Sequence, residues 1–382
     1  MTARRGTRSG TVPALVLVLV LSLLTIISSI GGCSCSQKPE VARKPAGKPA
    51  PKVVTCPLCG LPVQDRAVLE RRPVAVKVGN DPSSRPQSGL DKACVVYEEV
   101  TEGGVTRFMA VYLCRDADPV GPVRSARPAD IEIIFPCYAL FAHCGGGKPT
   151  LEMIKQAGLL DIDEMAWTGA YWRSTDRRAP HNLYTSTTRI RQAGEVSYPF
   201  QQASASPFEF LTAAQVNRMA REREEARESA ARQAQSSAPA GAQPAPAIAV
   251  VDNIVVPYDR DCVVSYAYDH AARNFLRYVA GVPQADLTTG AQLRADTVVL
   301  QYVTEGSSGI KDVRGAESPD LGVIGSGRAQ VFVMGRVIDA NWVKSSRAEH
   351  TRFLDNAGDP VPVKPGSIWI ELVPSSRQAT VS

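Results

Sequence analysis

Between residues 208 and 249 the chain stops looking like a protein core. The run "LTAAQVNRMAREREEARESAARQAQ" is charged and alanine-rich, and "SSAPAGAQPAPA" after it is of low complexity. The first has the composition of a solvated helix and the second that of a linker. An interruption of this length confines folding to a module on each side, 56–207 and 250–374, followed by a tail, 375–382. The 382 residues leave room for two ordinary domains, and a hydrophobic share of 44% supplies their cores.

The start of the chain fixes the compartment. Arg4, Arg5 and Arg8 precede an apolar run from Thr11 to Ile30, and Gly31 and Gly32 lead into Cys33. A basic start, an apolar stretch and a small-residue site form a secretory signal. The cysteine at its end gives it the look of a lipobox, in which 1–32 is removed and Cys33 is diacylated with chains of the palmitate class. An uncleaved spanning helix is the alternative, since the run approaches the length of a bilayer span. Both readings put the rest of the chain outside the cytoplasm. The lipoprotein reading gives an exported protein, lipid-anchored to the outer face of the cytoplasmic membrane. Residues 33–55, rich in Lys and Pro, then serve as a flexible tether.

The first module alternates strand-like and helical signals. "VAVKV" (Val74–Val78) alternates, and Gly103-Gly104 joins two apolar runs as a hairpin turn. "ADIEIIFP" reads as a short helix with Pro128 in its first turn, and "YALFAH" as a buried strand. Thr150 is placed to cap a helix Leu151–Ala157 that Gly158 stops. The second module carries "IVVPY", "CVVSYAY", "NFLRYVA", "TVVLQYV", "QVFVMG" and "SIWIELV", all punctuated by Gly and Pro. The expected fold is an α/β (α+β) N-terminal domain with a smaller β-rich C-terminal domain.

Between the expected strand and helix lies "HCGGGKPT" (143–150), which invites a phosphate-loop reading. That pattern needs a glycine where Ala142 stands and a hydroxyl residue where Pro149 stands, so no ATP site is expected. What remains is a strand-to-helix turn of the kind that faces ligands in open α/β sheets. Gly145, Gly146, Gly147 and Lys148, with the loop arginines Arg107, Arg124 and Arg127, are therefore anion-binding candidates. His143 and His181 are acid–base candidates. Trp172, Arg173, Arg178 and Asn182 form a second basic and aromatic group. The same arginines could instead pair with Glu98, Glu99, Glu102 and Asp130, and the histidines could be structural.

Nine cysteines are present; without Cys33, eight remain in a disulfide-permissive compartment. "CPLC" (Cys56–Cys59) has no second C-x-x-C, so no zinc site and no other metal site is expected, and no cofactor. A local disulfide or free thiols is the reading for that pair, with Cys94, Cys114 and Cys137 as buried small residues. The net charge of +5 calls for no nucleic-acid partner.

Taken in order, "RPVAVKVGNDPSSRPQSGLDKACVVYEEVTEGGVTRFMAVY", "GPVRSARP", "AHCGGG", "YWRSTDRRAPHNLYTS", "GSGRAQVFVMGRVIDANW" and "PGSIWIELVP" resemble the YerB-like bacterial lipoproteins. The resemblance covers nearly all the chain outside the leader and the central interruption. It implies an N-terminal α/β domain, a smaller C-terminal domain and a lipid anchor, and it leaves the activity open. This chain departs from the family pattern at "CPLCGL" and "HCGG", where members usually lack the cysteines. Two function classes follow: a lipoprotein that binds an anionic cell-envelope ligand or an envelope protein, or an envelope phosphotransferase or hydrolase acting on a phosphate-bearing glycan or lipid-linked precursor. The order of elements around the arginines is also loosely similar to the LytR-CpsA-Psr phosphotransferases of cell-wall assembly. No G-x-S-x-G elbow and no tight acidic cluster for magnesium is present in the sequence, so the binding class leads.

Overall fold

Alternation in "VAVKVG" produces β1 (Val74–Gly79), whose six residues are all buried, so it lies inside a sheet rather than at its edge. The computed structural model describes residues 53–198, 206–235, 250–260, 262–312 and 315–382. The leader with Cys33, the tether up to residue 52 and the stretch 236–249 lie outside the described residues.

After β1 come β2 (Val95–Val100) and β3 (Thr106–Tyr112), an antiparallel pair joined at Gly103 and Gly104. Both glycines have positive φ (72° and 77°), and a Cβ on Gly104 would lie 2.0 Å from the Asp259 carboxylate. Helix α1 (Pro128–Ile134) starts on its proline, with Asp130 reaching back to the Arg127 N–H at 2.6 Å. Next are β4 (Leu140–His143), α2 (Lys148–Ala157) and β5 (Leu160–Asp163). The second helix begins three residues earlier than the sequence suggests, because Pro149 is tolerated in its first turn and Gly147 serves as N-cap. Gly158, at φ 68°, ends it as expected. A small hairpin, β6 (Tyr171–Arg173) and β7 (Leu183–Thr185), leads to α3 (Thr187–Ser197).

Helix α4 (Ala213–Gln235) covers the charged alanine-rich run. It is less solvated than its composition suggests. Val216, Met219 and Ala220 pack on Val333 and Met334, and buried Arg223 donates to Gly335 O at 3.0 Å. Beyond it are β8 (Asn253–Asp259), β9 (Cys262–Asp269), β10 (Asn274–Val279), β11 (Val282–Pro283), β12 (Arg294–Ala295) and β13 (Thr297–Lys311). The chain ends with β14 (Glu317–Gly322), β15 (Gly325–Val333), β16 (Arg336–Lys344), β17 (Arg352–Leu354), β18 (Ile368–Pro374) and β19 (Thr380–Val381). The fold class is as expected, a mixed α/β N-terminal part and a β-rich C-terminal part.

The two parts nevertheless share one sheet. Its order is β17-β16-β15-β13-β18-β2-β3-β1-β4-β5, with β14 pairing β13. The join is the parallel pair β18–β2, with Ile368 opposite Val95 and Glu371 opposite Glu98. The described residues, from Val53 onward, form one compact unit. A second sheet, β11-β10-β9-β8-β19 with β12 on β10, packs at this seam.

Its Arg277, fully buried, crosses into the seam. The guanidinium pairs with Glu98 of β2 and, at 3.0 Å, with Glu371 of β18. It also donates to Tyr266 Oη and, at 2.7 Å, to Gln284. Trp369 and Phe108 flank it with ring centroids 4.5 and 5.3 Å away. Burial and the nearby Glu98 push Glu371 up to about 8, against the pull of Arg277. A charge this deep persists only because its donors are satisfied from both halves of the chain.

Candidate functional site

Strands β1, β4 and β5 run parallel and β2 points the same way, so their C-terminal ends share one edge of the sheet. Arg107, the second residue of β3, sits at that edge opposite Gly79. It is 8% exposed, and its Nη1 donates to Ser125 O at 2.7 Å. Arg127 Nη1 reaches the same carbonyl at 3.3 Å and Ala126 O at 2.8 Å, while its Nη2 pairs with Glu102 at 2.5 Å. Arg127 Nε is buried without a hydrogen-bond partner. Arg124, between β1 and the glycine turn, accepts a place in the cluster through its backbone bonds to Lys77 O (2.9 Å) and from Cys144 N–H (3.0 Å). Its Nη1 donates to Pro180 O at 3.0 Å.

The structure thus brings the three arginines together. Burial and the charges of Arg127 and Arg124 pull Arg107 down to about 9, which leaves it charged at neutral pH. Among the described residues Arg107 has no ion-pair partner. The anions next to it are already used: Glu102 by Arg127, and Asp130 by Lys77 at 2.7 Å. Lys77 also pairs with Glu99, which burial and Asp130 push up to about 7. Arg107 is therefore the member of the cluster without a carboxylate of its own among the described residues.

The glycine turn lies alongside, with Ala126 bridging Gly146 and Ala126 N–H bonding Gly145 O at 3.0 Å. Its own chemistry is largely satisfied by the protein. Asp163 at the end of β5 accepts the Gly145 N–H at 2.7 Å, so a side-chain carboxylate stands where an external anion would. Gly145 needs its φ of 62°, and Gly147 gives room to β13, because a Cβ there would lie 2.9 Å from Ile310 Cγ2. Lys148 is exposed. His143 is fully buried, with Nε2 2.9 Å from Asp161 and Nδ1 2.9 Å from Gly145 O. Burial alone would lower its pKa, but the hydrogen bond and charge of Asp161, with Asp163 behind, raise it above the ordinary imidazole value. Both nitrogens are occupied, which makes His143 a clamp between β4, β5 and the turn.

His181 is partly exposed, its Nδ1 3.2 Å from both Ser84 Oγ and Asp81. Ser84 Oγ donates to Asp81 at 2.6 Å. Hydroxyl and carboxylate meet the same ring nitrogen, whereas a serine–histidine–carboxylate relay needs them on opposite ones. The second group splits up on the β6–β7 hairpin. Trp172 stacks on Tyr184 at 6.4 Å and under Arg189 at 4.8 Å, Arg173 donates to Asn182 at 3.2 Å, and Arg178 is exposed. Asp161, Asp163 and Ser84 were missed by the sequence reading, while Glu102 stood among its alternative partners for the arginines; single polar residues at a strand end or in a turn carry no periodic signal.

At the opposite edge of the sheet the cysteines gather. Cys56, Cys59, Cys94 and Cys114 converge, with all four sulfurs within 4.8 Å of one another. The β2–β3 hairpin brings Cys94 and Cys114 side by side from 20 residues apart. All seven described cysteines are free thiols, which is one of the two readings given above for the CPLC pair.

Residues 58–199 match the family described as "Protein of unknown function (DUF3048) N-terminal domain", and 254–370 match its C-terminal domain. The chain is 30% identical over 356 residues to "Putative lipoprotein YerB" of Bacillus subtilis (strain 168), covering 91% of this chain and 93% of the relative. It is also similar to the crystal structure of the YerB protein from Bacillus subtilis, with a TM-score of 0.70 and 27% identity, over 86% of this chain and 99% of that one. Among the described residues no helix is long and apolar enough to cross a membrane.

Proposed function

Since the chain belongs to the DUF3048 family, matching both of its domains and a relative named as a lipoprotein, we propose that it is an exported lipoprotein, anchored through Cys33, that binds a phosphate- or carboxylate-bearing cell-envelope ligand at the Arg107–Arg124–Arg127 edge. One observation carries the binding reading: three guanidiniums gather at the ligand-facing edge of the sheet, and Arg107 among them has no carboxylate partner in the described residues. Arginine offers a planar fork of donors matched to phosphate or carboxylate oxygens. An arriving anion would supply the counter-charge that Arg107 lacks.

The enzymatic alternative has less support. His143 is enclosed with both nitrogens engaged, and His181 is not arranged to relay a proton. Residues 33–52, rich in Lys and Pro, would hold the site within reach of the membrane surface.

The test is a thermal-shift panel on residues 52–382, the compact unit, against inorganic phosphate, pyrophosphate, a polyprenyl-phosphate analogue and muropeptides. A ligand at a hundredfold excess over its Kd stabilises the folded state by about 2.7 kcal/mol. Stabilisation of the parent, absent in Arg124→Ala, supports the site. Equal shifts in both, or none with any ligand, would remove it.

A further inference from the structure

Four sulfurs from three separate segments meet at the N-terminal edge of the parallel strands, about 20 Å from the arginines by the length of a six-residue strand. Cys56 and Cys59 come from a tight turn. The Cys56 N–H bonds Leu61 O and the Gly60 N–H bonds Cys56 O, both at 2.8 Å. Gly60 has φ 68°, and a Cβ on it would meet the Phe210 ring at 2.6 Å, so only glycine closes this turn. Cys94 directly precedes β2, and Cys114 lies two residues after β3.

From these positions the geometry points to a tetrathiolate zinc site formed by Cys56, Cys59, Cys94 and Cys114, which fastens the first turn of the folded body to the edge of the shared sheet. Zinc–sulfur bonds of about 2.3 Å in a tetrahedron put the sulfurs roughly 3.8 Å apart. The Cys59–Cys114 and Cys94–Cys114 separations are 3.4 and 3.7 Å, and no pair exceeds 4.8 Å. Two separate disulfides would leave each sulfur with a single close partner, whereas Cys114 is shared between two neighbours. Cys56, Cys59 and Cys94 are completely buried, which suits a closed structural site without an open coordination position.

The backbone around the ligands is braced as metal ligands require. Arg71 holds Leu113 O through Nε (3.1 Å) and Nη2 (2.7 Å), and Arg115 holds Ala93 O at 2.8 Å. Gly366 N–H bonds Cys59 O at 2.8 Å, and Ile368 N–H bonds Cys94 O at 3.1 Å. Strand β18, the seam between the two halves, thus supports the site directly. The other described cysteines have separate surroundings: Cys137 near Ile133 O, Cys144 near Glu164 and Cys262 near Thr106. Binding exchanges four thiol protons for one Zn²⁺ and leaves a complex of charge −2, with no change of oxidation state.

The test begins with residues 52–382 purified under reducing conditions without added chelator or a metal-affinity step. Elemental mass spectrometry should find one zinc per chain, and an organomercurial should release it. Cobalt exchanged into the site should give thiolate charge-transfer bands and the intense visible bands of tetrahedral CoS₄. Cys56→Ser/Cys59→Ser should lose the metal, while Cys144→Ser should keep it. Should the double variant fail to fold, the metal content and cobalt spectrum of the parent still decide. Stoichiometric iron, two disulfides in the intact mass, or four free thiols that bind neither zinc nor cobalt would each overturn the assignment.

Discussion

Replacing Arg277 by methionine keeps most of its length and removes the one cation that serves both halves of the protein. In the parent, its guanidinium pairs with Glu98 and Glu371 and donates to Tyr266 and Gln284, all of them buried. After the change, two carboxyls face each other with only neutral donors: Asn80 (2.9 Å) and Thr106 on Glu98, Tyr258 (2.9 Å) and Tyr266 on Glu371. Removing one partner of a buried ion pair costs about 3–5 kcal/mol. Most of that cost is the price of keeping a buried carboxylate ionised, so it should depend on pH. Near pH 8 the full loss is expected. Near pH 5, close to the unfolded carboxyl pKa, protonation removes the charge and a loss of about 1–2 kcal/mol from packing and hydrogen bonds should remain. Urea unfolding of residues 52–382, followed by tryptophan fluorescence, reads both values, and Trp369 lies against the guanidinium. Arg277→Met/Glu98→Gln should recover part of the loss at pH 8. A loss below about 1 kcal/mol at pH 8, or the same loss at both pH values, would refute the reasoning.

The buried acids make a second prediction. Burial and neighbouring acids raise Glu99 to about 7 and Glu371 to about 8. Raised folded pKa values favour folding below the unfolded carboxyl pKa and lose that advantage as pH climbs through 7 and 8, so these two groups should make stability fall over that window. Denaturant midpoints from pH 5 to 9 check the sign. Gly145→Ala should cost about 1–2 kcal/mol, from its left-handed backbone, without unfolding the protein, as read by thermal melts. Nitrogen-detected NMR of the histidines should find His143 protonated to higher pH than a free imidazole, and Asp161→Asn should bring it back down.

What the sequence showed were local patterns. Alternation identified β1, the β2–β3 hairpin and the main runs of the second module, and Pro128 and Gly158 marked helix ends. The shared sheet was hidden because Ile368 meets Val95 across the whole interruption, and a parallel pairing leaves no mark in either strand. Lys77 and Arg277 look like outward-facing residues of their strands, and they are buried because their counter-ions come from elsewhere in the chain. Arg124 and Arg127 were legible as loop arginines near the glycine turn, whereas Arg107, read as a loop residue, lies in β3 and reaches them through its register with β1. That Asp163 and Asp161 already engage the glycine turn and His143 was not legible, since only the β4–β5 register brings them there. The cysteine cluster was hidden for the same reason: two of its members are joined by hairpin register rather than by spacing in the chain.

Calorimetric titration of pyrophosphate into residues 52–382 tests the central claim most directly. A saturable heat for one site is expected, weaker as ionic strength rises and lost in Arg124→Gln, with the folded state of that variant unchanged. No heat, or the same binding in parent and variant, would contradict the account and leave the three arginines as part of the scaffold.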